Sequence, residues 1–171
     1  PNWTPNTTDA STRRYRFGQQ PKIGAWNLAR LLESIVPLMD EPEMLYEVLD
    51  TYSKVFEQQN NDMWANKLGF ESFEEGDGEL VAELNTLMQK CECDMTIFFR
   101  LLGAIKKPII GELKYAFYST ESIPTDEWNA WLEKWWTRTD EKPNRPLMLK
   151  SNPKYVLRNW MAQLAIDAAE K

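Results

Sequence analysis

The spacing of apolar residues along the chain predicts helices. From Pro21 onward, apolar side chains recur every three or four positions, which places them on one face of a helix. No stretch shows the strict alternation of a half-buried strand. The pattern therefore predicts an all-α fold, a bundle of about six to eight helices. The predicted helices run from Pro21 to Pro37, from about Pro42 to Leu68, from about Leu80 to the cysteines at 91 and 93, from Met95 to Leu102, over about 110–118, through the tryptophans between 128 and 136, and from about Pro153 to the end.

Signals at the helix ends support this division. Asp40 and Asp94 precede apolar runs and are suited to cap helix N-termini, and Gly69 is suited to end the second helix. That helix either runs about seven turns or breaks near the polar run 59–61. The polar, proline-bearing stretch from Thr137 to Pro146 predicts a loop. The segment around Phe98 and Phe99 is apolar on most sides, which predicts a central position in the core.

The first part of the chain lacks this periodicity. Residues 1–20 contain asparagine, proline, glycine and three arginines, which predicts an irregular, extended segment at the surface. We therefore expect two regions, an extended segment over 1–20 and a helical domain over 21–171.

The composition excludes several classes of protein. The 26 acidic residues outnumber the 20 basic ones, so a nucleic-acid partner, which requires surplus positive charge, is not expected. No apolar run approaches the roughly 20 residues that cross a bilayer, and residues 1–20 lack the apolar stretch of a signal peptide. We expect no membrane association and a cytoplasmic location.

The chemistry available to the chain is limited by its residue types. There is no histidine, so catalytic arrangements that need an imidazole are excluded, as are histidine zinc ligands. Cys91 and Cys93 are two positions apart, too close for an unstrained disulfide and without a second pair to complete a metal shell. Both thiols are interpreted as structural or incidental, and we expect no metal site.

Two clusters of side chains admit a structural and a functional interpretation. The acidic run from Glu74 to Glu79 lacks the ligand spacing of a calcium loop, which favours a solvated loop that caps the next helix. The tryptophans at 128, 131, 135 and 136 either form a stacking platform for a ligand or pack against neighbouring helices, and their helical spacing favours packing.

A third cluster lies in the irregular segment. Arg13, Arg14 and Arg16 surround Tyr15, and they either meet a phosphate or an acidic partner or belong to a solvated loop. The loop is the favoured interpretation.

Motif blocks in fixed order carry a family resemblance. The first block comprises residues 6–9 (NTTD), 14–17 (RYRF) and 20–31 (QPKIGAWNLARL). The second comprises residues 152–163 (NPKYVLRNWMAQ), 165–166 and 168–170. Between them lie residues 67–69, 94–96 and 99–100, again in matching order. Together these blocks resemble the selenoprotein O family, also called YdiU or UPF0061, over essentially the whole chain.

The resemblance implies a function for the parent protein. Members resemble protein kinases in fold, use ATP and Mg²⁺, and transfer AMP to hydroxyl side chains of proteins. It also implies that the nucleotide, metal and catalytic residues precede this chain, so no catalytic or cofactor-binding residue is assigned here. Residues 1–20 would follow the metal-binding motif as part of the activation segment, and 21–171 would be the C-lobe with a C-terminal extension. The residues implied to lie near the substrate cleft are Asn6, Thr8, Asp9, Arg14 and Tyr15.

Two hypotheses follow from these patterns. In the first, the chain is the C-terminal helical part of a pseudokinase-like adenylyltransferase, in the bacterial cytoplasm or in a eukaryotic mitochondrion. It is then inactive alone, and it self-associates through apolar surface that normally faces the kinase-like lobe. In the second, the chain is a non-catalytic helical interaction module that docks another protein through its tryptophan-rich helix or the segment from Arg13 to Tyr15.

Overall fold

The computed structural model describes residues 11–40, 44–121 and 123–170, and most of these residues lie in helices that are joined by turns and loops. The seven α-helices of the described ranges are α1 (Gln20–Ile35), α2 (Met44–Leu68), α3 (Asp77–Lys90), α4 (Met95–Leu102), α5 (Thr125–Arg138), α6 (Arg145–Ser151) and α7 (Asn159–Ala169). Short 3₁₀ turns occupy Phe17–Gln19, Val36–Leu38 and Ile110–Ala116. The described residues contain no strand, only an isolated antiparallel bridge between Cys93 and Phe117. The all-α prediction is confirmed.

The chain divides into two compact units, Pro1–Asn61 and Asp62–Lys171. In the first unit, α1 begins with Pro21 in its first turn, where the missing N–H is no loss. The hydroxyl of Tyr52, on α2, donates to the carbonyl of Pro21 at 3.1 Å. A Cβ at Gly24 would lie 2.5 Å from that hydroxyl, so this position requires glycine for α1 and Tyr52 to meet.

Helix α2 is continuous, so the break considered near residues 59–61 does not occur. It ends where the sequence predicts. Gly69 takes the left-handed conformation at φ 79°, and the N–H of Phe70 turns back to the carbonyl of Ala65 at 2.8 Å. A side chain at Gly69 would also meet Met148 at 2.9 Å, so the glycine serves packing as well as the turn.

The core of the second unit is built around α4 and α5. Phe98, Phe99 and Leu102 of α4 are almost fully buried, as their apolar surroundings in the sequence predict. Three tryptophans of α5 are 0–1% exposed, and each indole N–H has an acceptor. Those bonds join Trp128 to the Cys91 sulfur at 3.3 Å, Trp131 to the Leu80 carbonyl at 2.8 Å and Trp135 to the Leu68 carbonyl at 2.9 Å. The packing interpretation of these tryptophans is confirmed.

Two predicted boundaries in the last third of the chain are wrong. Residues 145 and 146 were predicted to end a loop, but residues 145–151 form α6. The helix forms here because Asn144 accepts from the backbone N–H of Leu147 and because Pro146 suits a first helical turn. The last helix begins at Asn159 rather than near Pro153. The residues between α6 and α7 form no helix, and the contacts made at the two ends of this segment by Asn152 and Arg158 are described below.

Within the described ranges, every helix is too short or too polar to cross a membrane.

Candidate functional site

The predicted cleft residues are only partly described. Asn6, Thr8 and Asp9 lie outside the described residues. Arg14 lies in the turns that precede α1, with its guanidinium carbon 4.2 Å from the ring centre of Trp26. Arg14 also lies 5.6 Å from the ring of its neighbour Tyr15, whose side chain is 40% exposed.

A hydrogen-bonded turn over Arg13–Arg16, here called the arginine turn, positions these side chains. The backbone N–H of Arg16 donates to the carbonyl of Arg13 at 3.1 Å, and the Arg16 guanidinium donates to the same oxygen at 3.3 Å. The Gln20 side chain donates to the carbonyl of Tyr15 at 2.6 Å. The segment is irregular, as predicted, but internal bonds give it a defined course into α1.

In the second unit, the middle and C-terminal motif blocks meet at Asn152. Its side chain is buried, its Oδ1 accepts from Lys67 Nζ at 2.8 Å, and its Nδ2 donates to the carbonyls of Lys67 and Met148 at 3.0 and 2.9 Å. The Arg100 guanidinium donates to the carbonyls of Leu149 and Asn152 at 3.3 and 3.2 Å. Residues far apart in sequence thus form one polar cluster at the ends of α2, α4 and α6.

Lys67 is the unusual member of this cluster. Its ammonium lies 4.2 Å from the ring centre of Phe99, and burial lowers the pKa of Lys67 because the charged form is desolvated. Its partners are an amide oxygen and an aromatic face, and no carboxylate of the described residues forms an ion pair with it. The contacts hold the end of α2 against α4 and α6.

Asp94 joins α4 to the start of α7. One carboxylate oxygen accepts from the backbone N–H groups of Thr96 and Ile97 at 2.9 and 3.1 Å, which confirms the predicted helix cap. The other accepts from the Arg158 guanidinium at 2.8 Å. Arg158 immediately precedes α7, so this bond connects the start of α7 to the N-terminus of α4.

The acidic loop before α3 contains a buried ion pair that the sequence interpretation missed. Asp77 is 2% exposed, and its two oxygens accept from Arg138 Nε and Nη2 at 2.9 and 3.0 Å. The Arg138 guanidinium also lies 4.5 Å from the ring centre of Phe70. The prediction of a solvated loop is therefore wrong for Asp77. No group of three or more potential metal ligands occurs in the described ranges.

The two cysteines are free thiols. Cys91 is buried, and its thiol donates to the carbonyl of Leu87 at 3.0 Å. Burial, with smaller contributions from Cys91 and Asp94, raises the pKa of Cys93 to about 12. A thiol with such a pKa stays protonated near neutral pH and is a poor nucleophile, which supports a structural role.

A surface groove of about 390 Å³ lies between α3 and α5. Exposed ion pairs cross it, Lys134 with Glu83 at 2.8 Å and Lys90 with Glu127 at 2.6 Å. Lys134, which lines the groove, is already paired with Glu83, so its charge is not free for a triphosphate.

Comparison with known proteins gives consistent results. The model of a family described as "Protein adenylyltransferase SelO" matches residues 1–171. A protein nucleotidyltransferase YdiU from Aromatoleum aromaticum is 46% identical over 180 residues, which cover 100% of this chain and 34% of the relative. Proteins of the same name from Flavobacterium johnsoniae and Rhodopirellula baltica are 42% and 40% identical, with 35% and 36% of their lengths covered. The chain spans about a third of the length of these curated relatives.

Proposed function

The chain belongs to the protein adenylyltransferase SelO family, and from this membership we propose that it is the C-terminal helical part of an enzyme that transfers AMP from ATP to protein hydroxyls. The observation that carries the proposal is the family match over the whole chain, in relatives named protein nucleotidyltransferases that are about three times longer. The residues acting on the nucleotide would then lie in the remaining two thirds.

We propose that this chain supports the catalytic part and does not itself hold ATP or Mg²⁺. Its motif residues Lys67, Asn152 and Asp94 are engaged in contacts among helices, which suits a supporting role. In this proposal the family motifs within residues 21–171 stabilise the fold of the C-lobe. The C-lobe then positions the active site without contacting the nucleotide.

Residues 1–20 are proposed to line the substrate side of the cleft. Arg14 and Tyr15 sit where the arginine turn meets α1, and the stacking on Trp26 limits the motion of the Arg14 side chain. Asn6, Thr8 and Asp9 complete the proposed segment.

The complete natural protein, incubated with labelled ATP and magnesium, tests the activity. Label should appear as AMP on serine, threonine or tyrosine of protein substrates, and this chain alone should transfer none. Absence of label on every protein would favour the second hypothesis, a non-catalytic interaction module.

A substitution in the complete protein tests the placement of residues 1–20. Arg14→Ala should lower label transfer about tenfold, the size expected when a positioning contact worth about 1.4 kcal/mol is lost. Arg30→Ala is the matched control, because Arg30 flanks the same Trp26 ring at 5.7 Å but lies outside the segment. Equal transfer by the wild type and Arg14→Ala would contradict the cleft placement.

The surface of α7 supports a further part of the proposal. No residue of this helix is buried, and Trp160, Met161 and Leu164 are 42–64% exposed. We propose that this face is covered by the kinase-like lobe in the complete protein and by a second copy when the chain is isolated. The bacterial cytoplasm is the proposed location.

A further inference from the structure

Positive charge is concentrated near the start of this acidic chain. Residues 1–40 hold five of the 20 basic residues but only three of the 26 acidic ones, which gives this part a net charge of +2 and the remainder −8. The basic residues of this part are Arg13, Arg14, Arg16, Lys22 and Arg30. Residues 1–20, the segment proposed to face protein substrates, hold three of these basic residues and a single acidic one, Asp9, so the net charge of the segment is +2 as well.

The structure separates these cations into two groups. Arg14 and Arg30 have partners, since both lie over the Trp26 ring and Arg30 is paired with Glu33. Arg13 and Lys22 are exposed, and neither has an acidic residue within ion-pair distance among the described residues. Within the described part of the chain, these two charges are therefore not neutralised by an ion pair.

Arg13 has an unusual backbone conformation. Arg13 has φ 51°, in the left-handed region where a residue with a side chain is disfavoured. The turn is nonetheless closed, because both the backbone and the guanidinium of Arg16 donate to the Arg13 carbonyl. Arg13 thus occupies a position where glycine would be less strained.

Two aromatic residues with exposed side chains lie between Arg13 and Lys22 in the sequence. Phe17 follows the arginine turn and is 60% exposed, and Tyr15 is 40% exposed. A peptide that binds here would meet guanidinium and ammonium groups together with aromatic rings. Guanidinium groups form charge-assisted, often bidentate, bonds with carboxylates.

We propose that Arg13, Arg16 and Lys22 form a docking surface for acidic side chains of the protein substrate, near the hydroxyl that receives AMP. This inference rests on the proposed function and specifies the substrate class as hydroxyl residues in acidic surroundings. The partly buried Arg16 shapes the turn, while Arg13 and Lys22 supply the exposed charge.

The test uses the complete protein and two peptides that differ only beside a single serine. One peptide carries glutamates on both sides of the serine, and the other carries glutamines. At low salt the KM for the glutamate peptide should be about fivefold lower, because two exposed charge pairs each contribute a few tenths to 1 kcal/mol. The difference should shrink as salt is raised, since exposed pairs are screened.

The double variant Arg13→Gly with Lys22→Glu should bring the ratio of the two KM values close to one. Glycine adopts φ 51° without strain, so the substitution does not endanger the turn. Lys107→Glu is the control: Lys107 is likewise exposed, but it lies in the second unit, so the ratio should stay at its wild-type value. Fluorescence anisotropy with the labelled glutamate peptide, without ATP, gives a second readout, and the double variant should bind it about fivefold more weakly.

Two results would overturn the inference and leave the proposed function standing. One is label transfer in which the wild type has equal KM values for both peptides, or in which the ratio of the two KM values is the same for the wild type and the double variant. The other is a double variant with a raised KM for ATP and an unchanged peptide ratio, which would assign the surface to the nucleotide. If the wild type labels no protein, the proposed function fails, and equal anisotropy for the wild type and the double variant would then exclude the docking surface as well.

Discussion

Helices α5 and α7 both carry tryptophan among their apolar residues, but the surroundings of these tryptophans differ completely. Trp128, Trp131 and Trp135 of α5 are 0–1% exposed, and each donates its indole N–H inside the core. Trp160 of α7 is 64% exposed, and no residue of that helix is buried. An apolar stripe thus shows that a helix has a face to cover, while the covering surface depends on residues elsewhere in the protein.

The largest expected effect on stability is in α5, whose tryptophans are buried. Trp131→Ala should lower the free energy of unfolding by about 3–5 kcal/mol, because it removes a large side chain that packs against Phe98 and Trp128 and donates to the Leu80 carbonyl. Urea denaturation of the chain measures this change. A loss below about 1 kcal/mol would show that the α5 face is not the core of this unit.

The next effect concerns the end of α5. Arg138→Ala should cost about 2 kcal/mol of unfolding free energy, since it leaves the buried Asp77 carboxylate without its ion pair. Lys134→Ala, which removes the exposed pair with Glu83 from the same helix, should change stability by less than about 0.5 kcal/mol. Equal effects of the two substitutions in urea denaturation would refute the special role of Asp77.

A smaller effect is expected where α7 begins. Arg158→Ala should lower the global stability by about 1 kcal/mol or less, because Arg158 is 42% exposed and Asp94 keeps its capping bonds. Amide hydrogen exchange within α7 should nevertheless become faster, as its bond to α4 is lost. Lys150→Ala is the control, an exposed cation with no ion pair among the described residues. Unchanged exchange in Arg158→Ala would show that other contacts hold this helix.

The smallest effect on stability is expected at Trp160. Trp160→Ala should change the free energy of unfolding by less than about 0.5 kcal/mol, in contrast to Trp131→Ala. It should reduce the dimer fraction of the isolated chain in sedimentation experiments, because the exposed apolar face becomes smaller. A chain that is monomeric before and after the substitution would contradict the proposed self-association.

The same comparison shows how far sequence reasoning reaches. Local signals were sufficient for α4 and for the end of α2, because Asp94 and Gly69 act on residues within a few positions of themselves. They were insufficient for Asp77, whose partner Arg138 lies 61 residues later, and an acidic loop without a visible partner resembles a solvated one.

The boundaries near the end of the chain failed for a related reason. Pro153 resembles the first residue of a helix, but the structure has no helix there. Tertiary contacts hold the residues on either side, because Asn152 is bonded to Lys67 and Arg158 to Asp94. Helix α6 had usable signals in Asn144 and Pro146, but both were interpreted as part of a loop because the stretch from Thr137 to Pro146 is polar and contains proline. The cleft segment is least accessible to such reasoning, since Asn6, Thr8 and Asp9 were assigned by resemblance alone.

The Asn152-Pro153 pair has a chemical consequence for the lifetime of the protein. Asparagine side chains decay when the backbone nitrogen of the following residue attacks the amide, and proline has no N–H with which to do so. The resulting aspartate would have lost the Nδ2 donor that reaches the carbonyls of Lys67 and Met148. The side-chain amide that joins α2 to α6 is therefore followed by the one residue that blocks its spontaneous hydrolysis by this route.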